Sequence, residues 1–331
     1  MRYRKLADTD VTLSEVGFGV WTVTAGWWGE FSDDQAADLL RRALDLGVTF
    51  FDTGDTYGNG RGETVLAKAF AGQRDKVVIG TKFGYDFYTN PDLNRGQRER
   101  PHDWSPKFIR FALEQSLKRL ETDYVDLWML HNPRLDAIQR DDVFELLERL
   151  KAEGKIRAYG ASLGPAIAGT EHGDEVLRTR NLDALQIIFN LLEQDPGRRF
   201  FPIARERNVG ILVRVPHSSG MLEGKYTPET TFPKSDHRSH RPREWLIEGL
   251  RKIERLKFLY EGRGMTLGQA ALKWVLAEPT VTSAQPNIYD LEQLEEFAAA
   301  PDMPDLTPDD LDKVAALYAR NFDVEPVGST R

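Results

Sequence analysis

The chain contains no cysteine among its 331 residues. That absence excludes disulfide scaffolds, thiol nucleophiles, iron–sulfur clusters and Cys-ligated zinc. There is no excess of positive charge either: 44 Lys and Arg stand against 52 Asp and Glu, so the balance is 44 − 52 = −8. An acidic chain suits phosphate backbones poorly, and no nucleic-acid partner is expected. Long apolar runs are also missing. The longest, such as 125–130, are far short of the ~20 residues that cross a bilayer. The first ten residues are polar and charged, unlike a secretory signal. No membrane association is expected, and a reducing, cytoplasmic setting is. No low-complexity tract and no linker rich in Pro, Gly and Ser divides the chain.

What the chain does have is alternation. Short apolar runs, rich in β-branched and aromatic residues, fall at 16–20, 48–51, 77–79, 125–130, 156–161, 184–189, 211–215 and 281–284. Parallel strands buried on both faces read as such continuous runs. Between them lie helical patterns. Ala36, Leu39, Leu40, Ala43 and Leu44 share one helical face and stop at Gly47, a suitable C′ glycine. Ser105-Pro106 suits an N-cap followed by the first helical position. Phe144, Leu147 and Leu150 mark another helix ahead of Gly154, and 267–276 and 291–299 give two more.

Eight strands alternating with helices predict one α/β domain over residues 1–331, a (β/α)8 TIM barrel. An N-terminal hairpin is expected at 3–13, turning at Asp8-Thr9-Asp10. Two extra helices are expected at 244–260 and 307–318. Two long stretches, 84–103 and 216–242, have no repeating pattern. Loops of that length in a compact fold commonly carry function.

Barrels of this kind place their chemistry at the C-terminal ends of the strands. The second run ends Phe51-Asp52-Thr53-Gly54-Asp55-Thr56-Tyr57-Gly58. The third ends Gly80-Thr81-Lys82-Phe83-Gly84. The fourth ends Leu130-His131-Asn132-Pro133. Taken singly, Asp52 and Lys82 would read as a structural ion pair, Tyr57 as packing and His131 as a strand cap. Together they put Asp, Tyr, Lys and His on one rim, on neighbouring strands about 4.8 Å apart.

These segments resemble the aldo-keto reductase family, and the resemblance covers nearly the whole chain. The family tetrad falls on Asp52, Tyr57, Lys82 and His131. Reducing a carbonyl requires a hydride to carbon and a proton to oxygen. A phenol with its ordinary pKa of about 10 is protonated at neutral pH and can donate. An ammonium beside it stabilises the phenolate left behind, and a carboxylate holds that ammonium. A histidine orients the carbonyl. No side chain supplies hydride, so a cofactor must, and the resemblance implies a nicotinamide.

The resemblance also implies cofactor contacts. Ser162 and Gln186 correspond to the residues that hold the nicotinamide carboxamide, although Leu163 stands where the family has asparagine. Arg214 occupies the ring-stacking position. Pro216, Ser218, Gly220, Leu222 and Lys225 correspond to the loop around the pyrophosphate, and His217 takes a usually apolar place in it. At the adenosine end the counterparts are Asn287, Tyr289, Gln293, Glu296 and Phe297. Tyr289 replaces the base that would grip a 2′-phosphate, Asp290 adds negative charge, and Phe297 replaces an asparagine and is expected on the adenine face. NADP(H) is implied by the family and NAD(H) by these departures. Trp21, Trp28, Phe83 and Trp104 are expected to wall the substrate pocket.

The resulting expectation is an oxidoreductase acting on an aldehyde, ketone or alcohol. The alternative is a cofactor-sensing regulatory subunit with little turnover, like the potassium-channel β-subunits. No metal is expected. His237 and His240 lie close in sequence but in a basic stretch without clear further ligands, a stretch that could form a lid or a solvated loop.

Overall fold

The chain opens with a two-stranded antiparallel hairpin, β1 (Tyr3–Lys5) and β2 (Thr12–Ser14). The computed structural model describes residues 1–89, 100–164 and 166–325. Part of the long 84–103 stretch therefore lies outside the described residues. The hairpin is followed by eight strands, each running parallel to the next: β3 (Phe18–Gly19), β4 (Phe50–Asp52), β5 (Val78–Phe83), β6 (Val125–His131), β7 (Ile156–Ser162), β8 (Ala184–Ile188), β9 (Gly210–Arg214) and β10 (Val281–Gln285). The ring closes where Val16 bridges Ala284 in parallel, with Gly17 N donating to Ala284 O at 2.9 Å and Ala284 N to Glu15 O at 2.8 Å. The eight expected strands thus form one closed barrel.

The helices start where local chemistry allows. Asp33–Asp45 opens on a reciprocal Ser32/Gln35 cap, and Gly47 follows with φ +86°. Pro106–Leu120 is capped by Ser105 with Pro106 at its start. The two additions appear as Arg243–Glu254 and as Pro308–Ala319, the latter capped by Thr307 and Asp310. Among the described residues, no helix is long and apolar enough to cross a membrane.

Strand parity decides which side chains reach the site. Phe50, Leu127, Met129, Ala158, Ala184 and Leu212 pack together inside the barrel, over Leu6, Val11 and Leu13 of the hairpin. Counting by twos from these positions reaches Asp52, His131, Ser162, Gln186 and Arg214, and from Val78 it reaches Lys82. The interior is tight: a Cβ on Gly160 would stand 2.3 Å from Ala184 O.

Phe83 has the opposite parity. It is fully buried in the larger core between barrel and helices, stacked on Trp128 at 4.8 Å and edge-on to Trp104 at 6.1 Å. It does not line the pocket as expected. The prediction is that Phe83→Ala costs about 3–5 kcal/mol in urea unfolding, as for a core aromatic; a loss under about 1 kcal/mol would contradict this placement.

Candidate active site

Lys82 is 0 % exposed. Its Nζ donates to Asp52 Oδ1 at 2.8 Å, Asp52 Oδ2 at 2.7 Å and Thr53 O at 2.7 Å. An ammonium out of water needs such compensation, and all three of its donors find an acceptor here. The same Nζ lies 5.1 Å from the centre of the Tyr57 ring. Tyr57 reaches this position on the turn after β4, where its N donates to Gly54 O at 2.9 Å. The His131 ring stands edge-on to Tyr57 at 5.7 Å. The four sequence-predicted residues are therefore brought together.

His131 is buried, and its Nδ1 has no partner. Burial, then the charges of Lys82, Arg214, His102 and Arg100, hold its pKa well below the usual imidazole value. It is a neutral ring, able to donate one hydrogen bond. Behind it lie further aromatic and polar groups, Tyr85 among the aromatic residues that follow β5. Tyr85 meets the His131 ring at 4.9 Å and stacks on His102 at 4.0 Å. His102 Nε2 donates to His131 O at 3.0 Å, and Asn132 Nδ2 to Tyr85 Oη at 2.9 Å.

Across the rim, Ser162 Oγ donates to Gln186 Oε1 at 2.7 Å, and Gln186 Nε2 to Gln285 Oε1 at 3.2 Å. Gln285 Nε2 and Arg214 Nε are buried without partners. The loop after β9 is strained: Val215, Ser218, Ser219 and Gly220 have φ of +55°, +48°, +57° and +90°. Pro216 and Ser218 are buried within it, and Ser218 Oγ lies 3.3 Å from Glu193 Oε2. Asn287 Oδ1 faces Thr22 Oγ1 at 3.4 Å.

The Aldo/keto reductase family model matches residues 15–319. The chain belongs to the aldo/keto reductase family. Aldo-keto reductase YhdN of Bacillus subtilis is 32 % identical over 285 residues, covering 84 % of this chain and 82 % of that protein. The NADH-specific methylglyoxal reductase of Escherichia coli is 29 % identical, covering 91 % of this chain and 93 % of its own. Among solved structures, a glycerol dehydrogenase from Gluconobacter oxydans superposes with a TM-score of 0.83 at 28 % identity, covering 99 % and 98 % of the two chains. The protein is an oxidoreductase of this family.

Several expected contacts of this aldo-keto reductase are placed differently. Phe297 is fully buried and packs 4.3 Å from the His217 ring, so its face is not open to an adenine. Leu222 is a core residue. Trp104 lies behind His102, stacked on it at 4.9 Å, and is packed against Gly84 rather than exposed in the pocket. Trp28 turns towards Tyr289, stacking at 6.1 Å, and carries Arg238 on its ring at 4.5 Å. Trp21 lies on the rim as expected, 6.5 Å from Tyr57. Lys225 sits 3.7 Å from Asp290. Asp290 also caps the helix Leu291–Ala299 by accepting from Gln293 N at 2.7 Å. Glu296 accepts from Thr266 Oγ1, and burial raises its pKa.

The basic 237–243 stretch folds back onto the rim. His237 N donates to Trp27 O at 3.0 Å, and the His237 ring stands 5.2 Å from Trp21. His217 ties the strained loop to the helix Leu267–Leu276: its Nε2 donates to Gly268 O at 3.0 Å, while Nδ1 is buried and unpaired. Burial lowers its pKa to about 4. Between pH 6.5 and 4 the unfolded chain therefore binds a proton that the fold refuses, and stability falls as pH falls through that window. The full window is worth about 3 kcal/mol. His217→Gln should flatten the dependence of Tm on pH between 6.5 and 4 and leave it unchanged above pH 7.5. An unaltered acid slope would show that the ring is not held neutral.

Proposed function

We propose that this aldo-keto reductase transfers hydride between a nicotinamide coenzyme and an aldehyde or ketone, or in reverse from the alcohol, with Tyr57 as the proton donor or acceptor. The observation that carries this reading is the fully buried Lys82 ammonium, held by both Asp52 oxygens and Thr53 O, 5.1 Å from the Tyr57 ring centre. When Tyr57 gives its proton to the carbonyl oxygen, the phenolate forms beside a fixed positive charge. Asp52 keeps that charge in place. His131, neutral, donates a hydrogen bond to the same oxygen and orients it. In the oxidative direction, the Tyr57 phenolate accepts the alcohol proton.

A bound nicotinamide supplies or receives the hydride. The residues present fit such a ring: Ser162 and Gln186 form a polar ledge, and the buried Gln285 Nε2 and Arg214 Nε lack partners of their own. Arg214 offers a planar face for stacking. Pro216, Ser218 and Gly220 shape the loop next to it, and Lys225 stands at its far end. At the adenosine end no arginine stands at 286–297, so we read the enzyme as accepting NAD(H) with weakened selectivity for NADP(H). The name of the Escherichia coli relative, which is NADH-specific, supports the same choice.

The test is a panel of small aldehydes and ketones, methylglyoxal included, assayed with NADH and NADPH. Tyr57→Phe should lower kcat by about 10²–10⁴-fold, the usual size of a lost general acid, while coenzyme binding is retained. Full activity in Tyr57→Phe would refute the proton-donor role. Coenzyme binding with no turnover across the panel would favour the sensor alternative.

A further inference from the structure

His131 is the proposed donor to the carbonyl oxygen, yet its ring has no polar guide. It is buried, and its Nδ1 meets no partner among the described residues. An imidazole is ordinarily aimed by the hydrogen bond on its second nitrogen, which also sets the tautomer. Without that bond, ring packing and backbone anchorage have to aim it. Both come from the long loop after β5.

The loop returns on itself at its base. Asp103 N donates to Gly84 O and Asp86 N to Pro101 O, each at 2.8 Å, and Tyr85 pairs with His102 in an antiparallel bridge. Gly84 has φ +124°, and a Cβ there would stand 2.3 Å from the Trp104 ring, so only glycine lets that ring close down. Tyr85, His102 and Trp104 then stack in that order, with ring centres 4.0 Å and 4.9 Å apart. This stack meets β6 at three points. The Tyr85 ring stands edge-on to His131 at 4.9 Å. His102 Nε2 donates to His131 O at 3.0 Å. Asn132 leaves the strand at φ +52°, donating from Nδ2 to Tyr85 Oη at 2.9 Å and from N to Ser162 O at 2.8 Å. The ring of His131, its carbonyl and the residue after it are thus all held by the same stack. Facing the imidazole are also Lys82 from β5, Arg214 from β9, Arg100 from the loop and the Tyr57 ring. The cations among them favour its neutral form.

We infer that Tyr85 and His102 are positioning residues for His131: the Tyr85 ring fixes the direction of the imidazole, and His102 fixes the backbone that carries it. The inference rests on the carbonyl-reductase reading above and deepens it, assigning the aim of the hydrogen bond on the substrate oxygen to a stack outside the tetrad. A group misdirected at the reacting oxygen costs rate more than binding.

Substitution in the full chain tests this. Tyr85→Leu removes the ring, and Tyr85→Phe keeps it while giving up the bond from Asn132. In Tyr85→Leu kcat should fall at least tenfold, with the carbonyl KM and the coenzyme Kd changed less than threefold. Tyr85→Phe should stay within threefold of wild type in kcat. His102→Phe keeps the stack without the donor and should lower kcat at least threefold; it carries the test should Tyr85→Leu fail to fold. A change mainly in KM would make Tyr85 a wall of the substrate pocket and overturn the inference. Nitrogen-15 NMR reads the ring directly, its signal identified by loss in His131→Gln. The wild-type ring should stay neutral where an ordinary imidazole titrates, near pH 6.5, and the Tyr85→Leu ring, opened to water, should titrate closer to that value. Wild-type kcat in the folded variants, or a His131 titration unmoved in Tyr85→Leu, overturns the positioning role and leaves the reductase reading standing. No turnover in the wild type, with the NMR shift as expected, overturns the reductase reading and leaves the packing of His131 standing.

Discussion

The buried ammonium of Lys82 is the constraint around which the upper barrel is built. Moving such a charge out of water costs several kcal/mol even after the protein relaxes. It is tolerable here because each of its three protons meets an oxygen, two from Asp52 on the adjacent strand and one from Thr53. The layer below it is tight: Gly80 precedes it by two residues, and a Cβ there would stand 3.1 Å from the Phe50 ring. The same cation helps to keep His131 uncharged. One buried charge therefore adds to burial in keeping its neighbour neutral and, in our reading, steers the direction in which a phenolic proton moves.

The fold was legible because the strand runs are apolar on both faces and end abruptly in polar residues. Asp52 and His131 stand at such ends, and Lys82 projects inward from the last part of β5. What was misread came from ignoring parity. Phe83 follows an inward lysine and so must point outward, a fact available from the alternation alone. The expected third run, 77–79, fell short of Val78–Phe83, because Gly80-Thr81-Lys82 is polar sequence in a strand whose inner face carries the buried Lys82. The contacts of Phe297, Trp104 and Glu223 were hidden for a different reason. Glu223 accepts from Tyr289 and Gln293, 66 and 70 residues away, and no local pattern announces such a meeting.

The loop after β9 shows how a poor backbone conformation is kept. Val215 is β-branched and sits at φ +55°, where such residues are rarely found. Strain of that kind persists only when the surroundings over-determine it. Asn190 Nδ2 binds Val215 O at 3.1 Å, His217 reaches Gly268 O, and Tyr226 Oη donates to Ser219 O at 2.7 Å. The loop is thus clamped from the segment just after β8, from the helix Leu267–Leu276 and from its own far side, which leaves little to be ordered when a ligand arrives.

The rim is divided between two sets of strands. Asp52, Tyr57, Lys82 and His131 come from β4, β5 and β6, whereas Ser162, Gln186, Arg214 and Tyr289 come from β7 onwards. The two arcs meet where His131 of β6 lies in register with Ser162 of β7. In our reading, coenzyme choice and proton transfer therefore belong to different stretches of one chain and are open to change at different positions.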